Sequence, residues 1–554
     1  MSFSGEEIAI IGTSCRVAGA DSPAELWQSM ISGEDLQSDT SPRFSGYYDE
    51  ANGQNKGLTN VRHAYLLKGD LNRFDNSFFS ISPVEAAAID PQQRLLLEIC
   101  WEAFESAGIR LDKLRGSDTA VFAGLFTSDY GTSLLRDIDT TPKYHSTGTS
   151  NSIAANRISY FFDLHGPSMV IDTACSSTLT ALHQAINTLR AGEAKQAVVC
   201  GANLIINPDM FVTMSELGFL SPRGRCHSFD ASGDGYARGE GVMAIILKPL
   251  KEAIADNDPI RAVIRGSRLN QDGRTNGITL PSSEAQEENI RKLYASIGIL
   301  PSDVDYIEAH GTGTRIGDPI EMTAIERIFA SPQRSQKLIV GSIKCHVGHL
   351  EACAALIGII KTIECLERGF VPAQLHLREP NPKINFNELK IPTSTLPWHE
   401  RKGRARMAGV NSFGFGGANG HVVLEQYLRS DAPNTGATER PFLVKISAET
   451  EAALARSRDD LASYLSSSGV HICDVSYTSL LRRSLLRKSQ YFVASSTKDL
   501  IQQLSPGTNN TLPAVITSQD SEGSKPFGIV LVFVLLHAWD IPLAKSLQLM
   551  LQAS

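Results

Sequence analysis

The sequence predicts an α/β protein built from layers of strands and helices, and three observations carry that prediction. Strand-like and helix-like segments alternate through most of the chain, which is typical of layered α/β folds. The composition is 42% hydrophobic and 20% charged, with 44 Gly and 25 Pro, as in ordinary globular proteins. The length of 554 residues exceeds one ordinary core, so we expect more than one domain.

The individual elements are predicted from local signals. The opening run EEIAIIG is rich in β-branched residues and predicts a strand that ends in a Gly turn. Asp90 and Pro91 suit the N-cap and first position of an amphipathic helix. The later alternation predicts a strand over 119–124, a helix over 176–190 and a strand over 196–200.

The composition changes near residue 429, which predicts a domain boundary. The segment SDAPNTGATERP is polar and contains Pro and Gly, as linkers do. We expect a main body over 1–428, a small α/β appendage over 429–525 and a short tail over 526–554. The appendage has a predicted helix over 449–466 and a predicted strand over 489–495. No short repeat is visible, although a duplication can persist in diverged sequence.

Charge and cysteine usage exclude several classes of function. The formal net charge of -8 disfavours nucleic-acid binding. The nine cysteines are odd in number and form no CxxC pair, which argues against a disulfide framework or a zinc knuckle. We expect a reducing, cytoplasmic location, since no secretory signal opens the sequence. The apolar run Phe527–Ala538 is too short to span a bilayer and predicts a buried strand, not a membrane anchor.

Cys175 is the candidate nucleophile. It lies among small residues in DTACSS, between an apolar strand-like run and a helical segment. Small residues permit a sharp turn and leave room for a substrate carbonyl. A helix N-terminus is expected to lower the thiol pKa and to offer backbone N–H groups to an oxyanion. Alone, such a Cys is more often a buried structural residue.

Two histidines and a lysine lie on further glycine-flanked loops. His310 ends a predicted short strand in DYIEAHGTGT, and His349 opens a predicted apolar helix after GSIKCHVGHLE, which also contains Lys344. Either histidine alone has an ordinary structural explanation. A zinc site of His310, Cys345, His346 and His349 fits no familiar ligand spacing, so no metal is expected.

A third loop, NSFGFGGANGH, is rich in glycine between two strand-like runs. It lacks the order of a dinucleotide or P-loop motif. We expect its backbone N–H groups to close over a reaction centre, with Phe415 as an apolar gate. Phe413 is equally consistent with core packing.

Together these motifs resemble those of β-ketoacyl synthases. DTACSS, EAHGTGT, the lysine loop ending in VGHLE, and NSFGFGGANGH have the order and similar separations found in that family. DPQQRLLLE, SFDASGDGYARGEG and NQDGRTNG resemble ketosynthase domains of type I polyketide synthases, most closely the fungal highly reducing ones. The resemblance covers residues 6–428, and residues 440–505 resemble the linker that joins ketosynthase to acyltransferase.

The resemblance implies a thiolase-like fold of two duplicated halves in an αβαβα arrangement, usually as a homodimer. It divides the chain into halves at 1–250 and 251–428, a ketosynthase–acyltransferase-type linker domain at 429–525 and a divergent tail at 526–554. The activity implied is decarboxylative condensation of an acyl chain on Cys175 with a malonyl-type carrier-protein thioester. No bound cofactor is implied, because substrates arrive on the phosphopantetheine arm of an acyl carrier protein or polyketide synthase in trans.

The family also implies roles for individual residues. His310 and His349 match the histidines that assist decarboxylation, and Lys344 matches the lysine that supports them. The N–H groups of Cys175 and Phe415 match the oxyanion hole. The residues that match the contacts to the pantetheine arm are Thr312 and Thr314.

Some features depart from the family pattern. His346 stands where Asn is usual, and Ala418 where Thr is usual. No acyltransferase follows residue 526, so a free-standing synthase and a truncated one are both open. A second hypothesis is a ketosynthase-fold acyltransferase that passes the acyl chain from Cys175 to an alcohol or amine, which forms an ester or amide. A third is a non-enzymatic relic or docking partner, which the intact Cys and His residues disfavour.

Overall fold

The computed structural model describes residues 7–50, 57–330, 334, 336–399, 404–429 and 441–505. The described residues fall into two compact units, one within Met1–Ala107 and Lys113–Arg429, the other within Gly108–Asp112 and Ser430–Ser554. The predicted tail, with its apolar run, lies outside the described residues.

The larger unit contains strands and helices in alternation. Its strands are β1 (Ile8–Val17), β2 (Ser38–Asp39), β3 (His63–Ala64), β4 (Thr119–Gly124), β5 (Ser168–Ile171), β6 (Gln196–Asn203), β7 (Gly241–Pro249), β8 (Ala262–Gln271), β9 (Tyr306–Glu308), β10 (Leu338–Gly341), β11 (Phe370–Val371), β12 (Leu389–Lys390), β13 (Leu396–Pro397), β14 (Met407–Phe413) and β15 (Ala418–Glu425).

The helices up to residue 429 are mostly short connectors, with a few long packing helices. They are α1 (Pro23–Ser32), α2 (Pro83–Ala88), α3 (Pro91–Ala107), α4 (Leu111–Leu114), α5 (Asp129–Leu134), α6 (His145–Thr149), α7 (Asn151–Phe162), α8 (Ser177–Arg190), α9 (Asp209–Glu216), α10 (Leu250–Ala255), α11 (Ser283–Ile297), α12 (Gly317–Phe329), α13 (Lys344–Val347) and α14 (Ala354–Arg368).

Several predicted elements are confirmed with small changes at their ends. The predicted strand over 119–124 is β4, and the predicted helix over 176–190 is α8. Helix α3 begins at Pro91, and the Asp90 carboxylate accepts the Gln92 N–H at 2.8 Å, as expected of an N-cap. The predicted strand over 196–200 continues further, as β6.

The main sheet confirms the duplication that the family resemblance implies and that no sequence repeat shows. Within the described residues its order is β12-β10-β9-β14-β15-β8-β1-β7-β6-β4-β5. On one side, β1 pairs antiparallel with β7 and β7 with β6, and then β6 pairs parallel with β4 and β4 with β5. On the other side, β8 pairs antiparallel with β15 and β15 with β14, and then β14 pairs parallel with β9 and β9 with β10. Chain order also matches, because β1, β4, β5, β6 and β7 correspond to β8, β9, β10, β14 and β15. The two halves therefore share one topology.

Helices α8 and α14, which follow the corresponding strands β5 and β10, form the central layer. Helix α8 contacts β4 and β6 of the first half and β8 and β15 of the second, and α14 contacts β14, β7 and α8. Every residue of α14 from Ala354 to Leu366 is buried, as expected of a helix enclosed on all sides. Helices α3 and α11 cover the outer faces. The arrangement is αβαβα, as predicted.

The smaller unit has its own core. Strands β16 (Phe442–Ala448) and β17 (Lys488–Ala494) pair antiparallel beside helices α15 (Glu451–Ser468), α16 (Ile472–Leu481) and α17 (Thr497–Leu504). The buried centre includes Val444, Leu454, Phe492 and Leu500. The helix and strand predicted for the appendage are α15 and β17.

Candidate active site

Cys175 lies in a strained turn between β5 and α8. Residues Ala174–Ser176 form one 3₁₀ turn, and Ala174 has a φ of 54°, in the left-handed region that non-glycine residues rarely adopt. The Ala174 N–H donates to the Asp172 carboxylate at 2.9 Å, and the Cys175 carbonyl accepts the Ser412 hydroxyl at 2.8 Å. The turn therefore holds the thiol in a fixed position, 6% exposed.

The expected lowering of the thiol pKa is wrong for this structure. Burial raises the pKa of Cys175 strongly, and the negative charge of Glu351 raises it further. Lys344 and the backbone N–H groups of Phe415 and Cys175 act in the opposite direction but do not outweigh burial. Glu351 ends the VGHLE motif, but its contact with Cys175 was not predictable because the two residues lie far apart along the chain.

The two candidate histidines lie beside one another. The ring centroids of His310 and His349 are 5.5 Å apart, with the rings nearly perpendicular. Their predicted local settings need correction. His310 lies beyond the end of β9 at Glu308, and His349 precedes a 3₁₀ turn, Glu351–Cys353, after which α14 begins. Both side chains therefore project from irregular loops.

Both imidazoles are held as neutral donors. His349 Nδ1 accepts the Glu351 backbone N–H at 2.9 Å, and His310 Nδ1 accepts the Phe413 backbone N–H at 3.5 Å. In a neutral imidazole the other nitrogen, Nε2, then carries the hydrogen. Burial lowers the pKa of both rings well below the ordinary value, and the charge of Lys344 lowers the pKa further.

Lys344 supplies a fixed positive charge behind the histidines. It is buried in α13, and its Nζ donates to the His310 carbonyl at 2.5 Å. Burial lowers the Lys344 pKa, while the carboxylates of Glu308 and Glu321 act to raise it. The lysine thus connects the His310 loop to α13.

Several supporting residues were missed from the sequence. The Glu321 carboxylate on α12 accepts the N–H groups of His310 and Gly311 at 2.7 and 2.8 Å, and the Asn411 amide at 2.9 Å. Asp318 accepts the Gly313 N–H at 3.0 Å. The available signal was the acidic pair that follows the Gly/Thr loop in IGDPIE, on an otherwise apolar helix face.

The glycine-rich loop is the tight connection between β14 and β15. The backbone N–H groups of Phe415 and of Cys175 itself act to lower the pKa of the Cys175 thiol. The Phe415 ring is 38% exposed and contacts Phe126 and Phe219 at 5.9 and 6.2 Å. Phe413 is buried beside His310, at 5.7 Å between centroids.

The two threonines of the GTGT loop face one another. Their Oγ1 atoms are 3.1 Å apart, and Thr314 also accepts the Gly317 N–H at 3.1 Å. Thr312 is buried and Thr314 half-buried.

Of the two residues that depart from the family pattern, His346 is buried with its Nε2 3.0 Å from the Ala373 carbonyl, and burial lowers its pKa to about 3. Ala418 begins β15.

One group in the described part of the chain has spacing compatible with a metal ion, namely Cys175, His349 and Glu351, whose ligand atoms lie within 4.8 Å of one another. The zinc set considered from the sequence is not brought together. In the observed group, His349 Nδ1 already accepts a backbone N–H, and Glu351 pairs with Arg238 at 3.4 Å.

The comparisons with known proteins agree with this geometry. Family models for the beta-ketoacyl synthase N-terminal domain, the beta-ketoacyl synthase C-terminal domain and the ketoacyl-synthetase C-terminal extension match residues 5–253, 261–378 and 380–487. A solved ketosynthase from module 6 of the bacillaene synthase of Bacillus subtilis 168 is 35% identical, with a TM-score of 0.84 over 90% of this chain and 84% of that one.

The chain belongs to the β-ketoacyl synthase family. A second ketosynthase domain, from the oxazolomycin system of Streptomyces albus JA3453, is 33% identical, with a TM-score of 0.86 over 91% of this chain and 89% of that one. The thiolase-like ketosynthase fold predicted from the sequence is confirmed. The chain is a condensing ketosynthase of the type I polyketide synthase kind.

Two curated relatives of this ketosynthase are fungal. The reducing polyketide synthase grgA of a Penicillium species is 46% identical over 92% of this chain, and the highly reducing polyketide synthase acrA of Aspergillus aculeatus is 46% identical over 86%. The chain spans 21% and 20% of their lengths. Within the described ranges of the ketosynthase, we find no helix of the length and apolarity that crossing a bilayer requires.

Proposed function

We propose that this ketosynthase joins an acyl chain, held as a thioester on Cys175, to a malonyl-type unit carried by an acyl carrier protein, with loss of CO₂. The observation that carries the proposal is a pair of neighbouring imidazoles whose Nδ1 atoms each accept a backbone N–H, which leaves their Nε2 atoms as donors. Decarboxylation leaves an enolate whose oxygen needs preorganised hydrogen-bond donors, and two imidazoles meet that need.

The first half-reaction loads the acyl chain. The Cys175 sulfur attacks the carbonyl carbon of the incoming thioester, and the carrier thiol leaves. Negative charge develops on the carbonyl oxygen, within reach of the N–H groups of Cys175 and Phe415. The left-handed turn at Ala174 and the Ser412 hydrogen bond hold the sulfur in a fixed position relative to these donors.

The second half-reaction forms the carbon–carbon bond. The malonyl thioester oxygen accepts hydrogen bonds from His310 and His349, CO₂ departs, and the enolate carbon attacks the Cys175 thioester. The sulfur then leaves as a thiolate and regains a proton. Lys344 supports this step because its charge keeps both imidazoles in their neutral, donating form.

The substrates would arrive on a phosphopantetheine arm, and the chemistry needs no resident cofactor or metal. Thr312 and Thr314 offer hydroxyl groups on the loop next to His310, which suits contact with the amides of that arm. The carrier would be an acyl carrier protein or a polyketide synthase that acts in trans.

We also propose a homodimer in a reducing, cytoplasmic setting. Strand β5 ends the main sheet, pairs within the described residues only with β4, and leaves Met169 44% exposed, while Tyr160 on the adjoining helix α7 is 88% exposed. An open sheet edge with exposed apolar groups suits pairing with a second copy. The requirement for a reduced Cys175 fits the expected location.

The testing experiment uses purified protein, an acyl thioester and a malonyl-loaded carrier protein, with the carrier weighed by intact mass spectrometry. The expected product is a carrier whose mass matches a β-ketoacyl chain, absent with Cys175→Ala. Acyl-enzyme on Cys175 without that product contradicts condensation. No observation favours transfer to an alcohol or amine, which does not use two enolate donors.

A further inference from the structure

A carboxylate faces the Cys175 thiol inside the buried pocket. The Cys175 Sγ donates to Glu351 Oε2 at 4.0 Å, and Glu351 is 1% exposed. On its other side the carboxylate meets Arg238, whose Nε is 3.4 Å from Oε1, and the Tyr236 hydroxyl. Glu351 therefore lies between a buried cation and the nucleophile.

The backbone at Glu351 repeats the strained turn of the nucleophile. Glu351 has a φ of 46° and begins the 3₁₀ turn before α14, just as Ala174, with a φ of 54°, begins the 3₁₀ turn before α8. The two turns contact one another. A left-handed non-glycine residue is strained and persists where the surroundings hold it. The duplicated fold thus directs an acidic side chain at Cys175 from the matching position of the second half.

The other groups around Cys175 are not free to accept its proton. The Nδ1 atoms of His349 and His310 already accept backbone N–H groups, so their Nε2 atoms are donors. Lys344 donates to the His310 carbonyl. Among the described side chains that surround the thiol, the Glu351 carboxylate is the acceptor.

We propose that Glu351 is a catalytic residue of acyl loading, which accepts the Cys175 proton as the sulfur attacks the incoming thioester. The S–H bond breaks as the proton moves to Oε2, and the new C–S bond forms. When the carrier's C–S bond breaks, the protonated carboxyl returns the proton to the departing thiolate. Atoms and charges balance, and Glu351 is regenerated. The inference rests on the proposed loading of Cys175.

A purely electrostatic role for Glu351 predicts the opposite effect from a catalytic one. Its negative charge raises the pKa of Cys175, so its removal increases the thiolate fraction. If Glu351 only balances Arg238, Glu351→Gln will load acyl groups as fast as the wild type or faster. If Glu351 accepts the proton, the same variant will load slowly at neutral pH although its thiol ionises more readily.

The experiment compares wild type, Glu351→Gln and Glu351→Asp. Acyl loading from an acyl-N-acetylcysteamine thioester is timed by intact mass across about pH 6 to 10, and iodoacetamide alkylation of Cys175 is timed in parallel. We expect Glu351→Gln to load about 100-fold more slowly at neutral pH, with alkylation no slower. Glu351→Asp, which keeps a carboxylate at greater distance, should fall between them.

The pH dependence separates the causes. Loading by Glu351→Gln should rise with pH and approach the wild-type rate once the thiolate forms without a base. The ionisable groups that face Glu351 are Arg238, Tyr236, Cys175, His349 and Lys344. Unchanged or faster loading by Glu351→Gln overturns the proposal. Equal losses of loading and alkylation at every pH also overturn it, because they show that the substitution has displaced the thiol. Failure of the wild type to load Cys175 contradicts the proposed function instead.

Discussion

Gly414 provides a sharp test of how the oxyanion site is built, because the loop that carries the Phe415 N–H packs directly on the nucleophile turn. A Cβ at Gly414 would lie 2.4 Å from the Thr173 carbonyl oxygen and 3.0 Å from the Ser176 hydroxyl. Ordinary van der Waals contact begins near 3.4 Å, so Gly414→Ala must move the loop by about 1 Å. Gly416, in the same loop, has nothing within 4 Å of its Cβ position.

A shift of about 1 Å at a reacting centre costs on the order of 100-fold in rate. Loss of one oxyanion donor costs about 100- to 1,000-fold, or about 2.7–4 kcal/mol of transition-state stabilisation. We therefore expect Gly414→Ala to slow acyl loading of Cys175 by at least about 100-fold, the lower end of the cost of losing one oxyanion donor. Gly416→Ala should load like the wild type. Intact-mass kinetics with one acyl thioester measures both, with thermal unfolding as the check on folding. Equal loading by the two folded variants would refute the assignment of the Phe415 N–H.

Three further variants test the other parts of the site. His310→Ala should leave acyl loading intact and lower the condensation rate about 100- to 1,000-fold, because one enolate donor is lost; loss of loading, measured by intact mass, would contradict the separation of steps. Lys344→Met removes a charge that lowers the pKa of His310 and His349, so both pKa values rise. The neutral donors are lost as pH falls, so the acidic limb of the condensation profile should move to higher pH, and an unmoved limb speaks against that role. Lys361→Met leaves buried Glu308 without its partner at 2.8 Å and should cost about 3–5 kcal/mol in denaturant unfolding. The double variant with Glu308→Gln should recover part of that loss, and no recovery would mean that the pair is not the cause.

The local elements were predictable from the sequence because their signals are local. Pro91 after Asp90 begins α3, and the apolar run at 119–124 is β4. The four motif loops were also recognisable, since their residue types serve the chemistry directly. They meet because each follows the end of β5, β9, β10 or β14, and β5 and β10 occupy matching positions in the two halves.

The charges that tune the site were not predictable from the sequence. Glu351, Arg238 and Glu321 are buried, and their significance lies in partners distant along the chain. The partial positive charge of a helix N-terminus favours a lowered Cys175 pKa, but burial and Glu351 dominate and raise it. The duplication shows no sequence repeat and was predicted only through the family resemblance, since it survives in strand order and not in residue identity.

The most direct test of the proposed reaction is the stoichiometry of CO₂ release against carbon–carbon bond formation. Acyl-loaded enzyme would be mixed with carrier protein that bears malonyl labelled with ¹³C at the free carboxyl. Decarboxylative condensation releases one labelled CO₂ for each β-ketoacyl carrier formed, with no label left in the product. Acyl transfer that consumes the Cys175 thioester without CO₂ release would contradict it.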